Sequence, residues 1–223
     1  MPYNNILKII KGKKIVLFGE IHGTKEILKL LSDFLSIYAQ KNDFNLCMEI
    51  PNENQKFVVD FLKTGNEQHL EKMPFFKFFK KSDGRNSKEY YELIKNIYTL
   101  NSKFNRKIKI FFIDINQYND QNKREEALAN NILKHSSEKI TFVILGSIHA
   151  TKHKINFNNF EITPTGFHLN KKLNNNLISI NLAPKKGKFF NLEIKEVHYD
   201  KSFERYFDYT HYLEKVTPCS FLK

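Results

Sequence analysis

Two continuous apolar runs in this chain end alike, each at a glycine with a histidine three residues further on. The first run spans Ile15–Phe18 and leads to His22, and the second spans Ile140–Leu145 and leads to His149. An uninterrupted apolar run rich in β-branched residues is typical of a strand buried on both faces, as in a parallel sheet covered by helices. Ligands bind beyond the carboxyl ends of such strands, so residues that follow the two runs are expected to meet in space.

The rest of the pattern predicts alternating helices and strands. From Glu26 to Gln40 apolar residues recur every three or four positions, which indicates an amphipathic helix. Further predicted elements are a strand at Asn45–Ile50, helices at Asn52–Lys63 and Ser87–Lys103, a strand at Ile108–Asp114 and a helix at Gln121–Lys134. Later strand-like runs are Phe160–Thr163, Leu177–Leu182 and Leu192–Val197. We therefore predict an α/β fold with a mainly parallel central sheet flanked by helices, which the late strands extend with mixed pairing.

Residues 66–86 interrupt this alternation, and we interpret them as a small helical insertion within a single domain, 1–223. Four phenylalanines lie within Met73–Phe79. They either line a pocket or cap the site, or they pack the insertion onto the core, as clustered apolar residues usually do.

Charge and composition narrow the classes of function. The net charge is +12, but the basic residues are scattered and no nucleic-acid motif is present, so we expect a solvated basic surface without a specific nucleic-acid partner. No apolar run is long enough to cross a bilayer, and the amino-terminal residues lack the pattern of a secretory signal. We expect a cytoplasmic protein without a membrane partner. The two cysteines indicate neither a disulfide framework nor a zinc site.

Titratable residues cluster where the predicted strands end. Glu20 and His22 follow the first strand directly, and Glu49 lies near the end of the otherwise apolar second strand. A carboxylate in such surroundings must be paired with a cation or have a raised pKa, which would suit a general acid or base. Asp114 ends the third strand in a similar position, although it also fits the simple role of capping a turn.

Arg124 and His149 complete the candidate set. Arg124 lies one helical turn before Leu128, on the apolar side of its helix, where it would balance the carboxylates or hold an anionic intermediate. Together Glu20, His22, Glu49 and His149 form either an acid–base set or a divalent-metal site with nitrogen and oxygen ligands. Residue types and spacing do not separate these two interpretations.

Several other classes of enzyme are not supported. The chain contains no Gly-x-Ser-x-Gly elbow, no Walker loop, no dinucleotide-binding fingerprint and no His-Glu-x-x-His motif. This argues against a serine hydrolase, a nucleotide hydrolase and a dehydrogenase.

Taken in order, the motifs resemble the erythromycin esterase superfamily, which includes the ChaN-like haem-binding proteins, the TIKI/TraB proteins and a domain of a bacterial toxin. The resemblance rests on the turn Gly19–His22, the strand-ending Glu49, the helical segment Arg124–Ala129 and the turn Gly146–His149. Segments Thr163–Leu169 and Phe207–Pro218 look like later blocks of the esterase-like members.

The resemblance implies an α/β sheet with a site made by the matching residues. As implied by the esterase branch, His22 or Glu49 would activate water, Arg124 and Glu20 would orient groups or balance charge, and His149 would act as acid or base. The TIKI-like branch implies a divalent metal and peptide hydrolysis, and the ChaN-like branch implies haem. The single residue between Glu20 and His22 matches the ChaN-like spacing, and the chain is shorter than the antibiotic esterases, so a macrolide substrate is not expected.

We therefore predict a hydrolase of an ester, lactone or amide, acting on a small-molecule or peptide substrate with water as the nucleophile, with or without a divalent metal. The alternatives are a noncatalytic haem- or metal-binding protein of the ChaN-like type, and a toxin- or effector-type domain. The prediction that Glu20, His22, Glu49, Arg124 and His149 share one site is independent of the reaction.

Overall fold

Parallel strands and covering helices build the part of the chain that the computed structural model describes, residues 3–77, 82–115, 118–136, 138–157 and 160–222. The strands are β1 (Ile15–Glu20), β2 (Asn45–Pro51), β3 (Lys109–Asp114), β4 (Thr141–Gly146), β5 (Ile155–Phe157), β6 (Phe160–Ile162), β7 (Leu177–Pro184), β8 (Lys188–Asn191), β9 (Glu193–Glu196) and β10 (Tyr209–Leu213). The helices are α1 (Asn4–Ile9), α2 (Lys25–Ala39), α3 (Gln55–Thr64), α4 (Gln68–Glu71), α5 (Pro74–Lys77), α6 (Lys88–Phe104), α7 (Gln121–His135), α8 (Ser147–Ala150) and α9 (Thr165–Leu173). Short 3₁₀ helices lie at Asn52–Asn54, Asn174–Asn176 and Lys201–Tyr206.

Within these residues the central sheet has six strands in the order β10-β7-β1-β4-β2-β3, and every neighbouring pair is parallel. The predicted α/β fold class is thus confirmed. None of the helices in the described ranges is long and apolar enough to cross a membrane.

The expectation that the late strands extend the sheet with mixed pairing is wrong. β7 and β10 join the central sheet in parallel, whereas β5 with β6, and β8 with β9, form two separate antiparallel pairs. The loops inside these pairs are so short that they allow only hairpins, because a parallel connection needs a crossover of a dozen or more residues. The predicted strand Leu192–Val197 is accordingly part of a hairpin, and sequence patterning also missed α1, α9 and β10.

The core explains why the apolar runs are continuous. All six positions of β1 and of β4 are buried, since helices cover both faces of the sheet. On one face, Phe142 of β4 packs its ring against Phe18, Phe34 and Phe44 at centroid distances of 5.2–5.9 Å. Such tilted and edge-to-face contacts stabilise a core beyond the area that they bury.

The 66–86 segment contains the two short helices α4 and α5. Met73 and Phe76 are buried in the main core cluster, so these side chains pack the segment onto the core. Phe75 is partly buried against the same cluster, and the last two phenylalanines of this run, Phe78 and Phe79, lie outside the described residues.

One edge of the sheet collects the polar strand ends. β1, β4, β2 and β3 are neighbours in the sheet. Their carboxyl-terminal ends bring Glu20, Gly146, Glu49 and Asp114 to the same edge. These positions are nearly inaccessible to solvent, because the segments that follow the strands fold over the edge.

Candidate active site

A first histidine–carboxylate pair follows β1. The Nδ1 atom of His22 lies 2.6 Å from Oε1 of Glu20, and the hydroxyl of Tyr90 on α6 donates to the same oxygen. The other oxygen of Glu20 is buried and has no hydrogen-bond partner among the described residues. We call Glu20 and His22 the first dyad. The carboxylate fixes the ring so that Nε2 faces the interior of the site.

A second dyad, Glu125 and His149, has the same geometry. The Nδ1 atom of His149 on α8 lies 2.6 Å from Oε1 of Glu125 on α7. Gln121 donates to the same oxygen at 2.6 Å, while the amide and hydroxyl of Thr165 donate to Oε2 at 2.9 and 2.8 Å. Every one of these contacts constrains the carboxylate, which in turn orients the imidazole.

Glu49, two residues before the end of β2, lies between the two dyads. Its Oε2 atom lies 3.5 Å from Nε2 of His22, and its Oε1 atom lies 3.4 Å from Nε2 of His149. The backbone N–H of Gly146 donates to Oε2 at 2.8 Å. The two imidazoles therefore face one carboxylate, one at each oxygen.

Two arginines, Arg124 buried and Arg85 partly buried, hold this carboxylate. Arg124 donates to Oε1 of Glu49 at 2.8 Å and binds both oxygens of Asp114 at 2.6 and 3.0 Å. Arg85 donates to the same Glu49 oxygen at 2.9 Å and to Asp114 at 3.2 Å, while its Nε atom binds Asp83 at 2.8 Å. Glu49 and Asp114 are thus each paired with two guanidinium groups, as buried charges require.

Of the two expectations for Glu49, pairing is correct and a raised pKa is wrong. Burial alone would raise the pKa of Glu49, but the positive charges of His149, when it is protonated, and of Arg85 and His22 hold the pKa well below its usual range. A carboxylate with so low a pKa is a weak base. Glu49 is therefore suited to holding charged groups in place rather than to accepting a proton.

His22 favours the protonated state. Burial disfavours its charge, but the carboxylates of Glu20 and Glu49 outweigh burial and raise the pKa of His22 to about 10. At neutral pH the ring is an imidazolium whose Nδ1–H donates to Glu20. Its Nε2–H is left as a proton donor that faces Glu49 at 3.5 Å.

His149 differs by one contact. Burial again disfavours its charge, whereas Glu49 and Glu125 raise its pKa above the ordinary value. An N–H group of Arg124 lies 3.1 Å from Nε2 of His149, and a guanidinium only donates. This contact therefore fits the neutral ring with its proton on Nδ1, and Arg124 opposes protonation of His149.

The space between the imidazoles lies above Gly146. A methyl group built on this glycine would lie 2.9 Å from Nε2 of His22 and 3.3 Å from Cδ2 of His149. A cavity of about 280 Å³ opens here, and Phe189 and Asn191 of β8 form its opposite wall. Because residue 146 is a glycine, the space beside both imidazoles stays open.

The structure brings all five predicted residues, Glu20, His22, Glu49, Arg124 and His149, into one connected cluster. Patterning missed Glu125 and Arg85. Glu125 could have been found, because it precedes the buried Leu128 and Ala129 by three and four residues. Arg85 lies in the loop before α6 and has no periodic signal.

The donor set does not fit a divalent metal ion. In the described part of the chain, no group of three or more His, Cys, Asp or Glu side chains is arranged to hold one. Two guanidinium groups already contact the Glu49 carboxylate, and their positive charge opposes a cation at that position.

No protein-family model and no curated protein matches the chain. Solved structures do match. A succinoglycan biosynthesis protein superposes with a TM-score of 0.74 at 13% identity, covering 98% of this chain and 92% of that one. A variant of the erythromycin esterase EreC in its open conformation superposes with a TM-score of 0.67 at 9% identity, covering 87% of this chain and 78% of that one. ChaN of Campylobacter jejuni, solved with cofacially bound haem, superposes with a TM-score of 0.50 at 14% identity, covering 87% of this chain and 91% of that one.

At these identities the likeness concerns the fold. The resemblance inferred from the motifs is confirmed at that level, because the structures that match include an erythromycin esterase and a ChaN protein. The chain has the α/β fold that an erythromycin esterase and ChaN share.

Proposed function

We propose that the protein is a metal-independent hydrolase of an ester, lactone or amide. One observation carries the proposal. Two carboxylate-held imidazoles line one small cavity, and of the two only the imidazole of His149 has a guanidinium at its second nitrogen. That contact favours the neutral ring of His149, so the two imidazoles are suited to act as a base and a cationic acid in hydrolysis by water.

In this proposal His149 is the general base. Water in the cavity displaces the Arg124 N–H from Nε2 of His149 and gives a proton to that nitrogen, and the oxygen of the water attacks the substrate carbonyl carbon. Glu49, 3.4 Å from Nε2, and Glu125, at Nδ1, stabilise the imidazolium that forms. Glu125 also fixes the tautomer, because it accepts the proton of Nδ1.

His22 is the general acid. As an imidazolium it stabilises the negative charge that develops on the carbonyl oxygen, and its Nε2 proton passes to the leaving oxygen or nitrogen as the carbonyl–leaving-group bond breaks. The products are a carboxylic acid and an alcohol or amine. Exchange with solvent then returns a proton to His22 and removes one from His149.

A panel of p-nitrophenyl esters, aryl lactones and p-nitroanilides tests this proposal. We expect turnover of at least one class in the presence of a chelator. His149→Gln should lower kcat by about 10²–10⁴-fold, the usual contribution of a general base. The matched control is His153→Gln, because His153 is exposed and has no contact with either dyad. Equal loss in both variants, or no turnover of any class, would contradict the proposal.

Haem binding is the second candidate and rests on the fold shared with ChaN. An axial ligand needs a free imidazole, phenolate or thiolate. In the cluster, both rings have Nδ1 bound to a carboxylate and Nε2 facing Glu49, so they fit this role poorly. Titration with haem checks it: a Soret shift that saturates at a fixed stoichiometry and disappears in a His22→Ala, His149→Ala double variant would favour binding over hydrolysis.

A further inference from the structure

A larger cavity, of about 470 Å³, adjoins the catalytic cavity along the same edge of the sheet. Ile21, Ser147 and Ile148 line both cavities. The larger one extends over the end of β7, the strand that pairs with β1 on the side away from β4. A molecule with its reactive group between the imidazoles would therefore reach this cavity with the adjoining part of its structure.

The walls of this cavity are mainly apolar and carry no Lys or Arg among the described residues. They are built from aliphatic and aromatic side chains, including Leu182, Ala183, Val197, Tyr199 and Phe203. The only carboxylate on the wall is already bound, because Asp200 accepts from the amide and hydroxyl of Ser202 at 2.8 and 2.9 Å. The lining favours an uncharged, mostly apolar group.

Asn181 of β7 supplies a polar group on this wall. The residue is 6% exposed and lines the cavity. Its amide offers both a hydrogen-bond donor and an acceptor to a bound molecule. Asn181 pairs in register with Gly19, one residue before Glu20, near the carboxyl ends of both strands.

We propose that this cavity binds the acyl group of the substrate, an uncharged and mainly apolar chain or ring, with the Asn181 amide as a hydrogen-bond partner for a polar atom of that group. This inference rests on the proposed hydrolase. The substrates are then esters or amides of medium-length aliphatic or aromatic acids. A cavity of this volume is in the range that encloses small organic ligands.

Binding of the neutral fluorescent probe N-phenyl-1-naphthylamine tests the cavity without turnover. We expect saturable binding to the wild type and at least tenfold weaker binding to Ala183→Phe, because the ring would fill the cavity from a buried wall position. The matched control is Ile37→Phe, which narrows a cavity of about 600 Å³ at the opposite, amino-terminal edge of the sheet. Should Ala183→Phe fail to fold, Phe203→Ala replaces it; by enlarging the cavity it should change probe affinity, whereas Ile37→Phe should not.

The acyl-chain profile of p-nitrophenyl esters then tests the link to catalysis. For the wild type, kcat/KM should rise about fourfold for each methylene buried, up to the length that the cavity accepts. Ala183→Phe should shift the optimum to shorter chains and Phe203→Ala to longer ones. Probe binding that only Ile37→Phe weakens, or a profile that neither cavity variant shifts, would overturn the inference while hydrolysis stands. Saturable probe binding without turnover of any ester would contradict the proposed hydrolase activity, while it would still support the cavity as a site for apolar ligands.

Discussion

At the scale of residues, the two dyads differ in one neighbour. His22 and His149 each bind a buried carboxylate through Nδ1 at 2.6 Å, and each faces Glu49 through Nε2. Only His149 has Arg124 against Nε2, at 3.1 Å. Arg124 opposes protonation of His149 and has no counterpart among the causes that set the pKa of His22, and such a difference is how neighbouring titratable groups acquire acid and base roles.

This difference predicts a bell-shaped dependence of kcat/KM on pH. Activity should rise as His149 loses its proton, at a midpoint above 6.5, and fall as His22 loses its proton near pH 10. Glu125→Gln removes a charge that raises the pKa of His149, so the acid limb should move to lower pH. Steady-state rates from pH 5 to 11 measure both limbs. An acid limb that Glu125→Gln leaves unmoved would assign the base to another group.

Glu49 should matter more for stability than an exposed carboxylate does. Glu49→Gln leaves Arg85 and Arg124 short of a buried negative partner, and breaking such a pair costs about 3–5 kcal/mol. The matched control, Asp33→Asn, breaks an exposed pair with Lys29 and should cost about 0–1 kcal/mol. Urea unfolding measures both. Equal effects would mean that the Glu49 network is no stronger than a surface ion pair.

Sequence reasoning found residues whose environment is set by periodicity or by a strand end. Glu20, Glu49 and Asp114 lie at or next to strand ends, and Arg124 lies on the buried side of its helix. Arg85 could not be found in this way. Its position depends on the loop that precedes α6, and a loop has no repeating pattern that shows which side chain points inward.

At the scale of elements, the turn from β4 into α8 shapes the reaction space. Gly146 has φ −55° and ψ 143°, a conformation open to alanine, so a methyl group added there alters the cavity and not the backbone. Gly146→Ala should lower kcat by at least tenfold, because the methyl group would lie 2.9 Å from Nε2 of His22. We expect the Gly146→Ala variant to have the circular dichroism spectrum of the wild type and reduced activity. Full activity would show that the reaction occurs elsewhere.

The aromatic cluster of β4 and α2 should dominate core stability. Phe142 is fully buried and contacts four other rings, those of Phe18, Phe34, Tyr38 and Phe44. Phe142→Ala should lower the free energy of unfolding by about 3–5 kcal/mol. Val59→Ala on the exposed face of α3 is the control and should change it little, since Val59 is 50% exposed. A small effect at Phe142 would contradict this description of the core.

Element patterning predicted the buried strands better than the late ones. β1 and β4 are buried on every position and stand out as apolar runs, whereas β10 alternates weakly and all of β9 is exposed. Nothing in β10 itself marks a parallel edge strand, because its pairing with β7 is decided by how the chain between them crosses the sheet.

At the scale of the whole molecule, stability should pass through a maximum in mildly acidic solution. Glu49, Glu125 and Asp83 have lowered pKa values, so the stability that they contribute is present above their unfolded pKa values and is lost as the pH falls. His22 has a raised pKa, so its contribution is complete below pH 6.5 and is lost as the pH rises towards 10.

Urea unfolding from pH 3 to 10 checks this profile. Between pH 6.5 and 10, His22 should contribute a slope of at most about −1.4 kcal/mol per pH unit. His22→Gln should flatten this part of the profile and leave the acidic part in place. A wild-type free energy of unfolding that stays constant from pH 6.5 to 10 would show that His22 is not stabilised as a cation.

We would first follow the two histidine rings by ¹⁵N NMR from pH 6 to 11, with assignments from His22→Gln and His149→Gln. We predict that His149 becomes neutral, with its proton on Nδ1, at a pH where His22 is still protonated on both nitrogens. Two rings that lose their protons together, or a His22 that loses its proton first, would contradict the pairing of an acid with a base at this site.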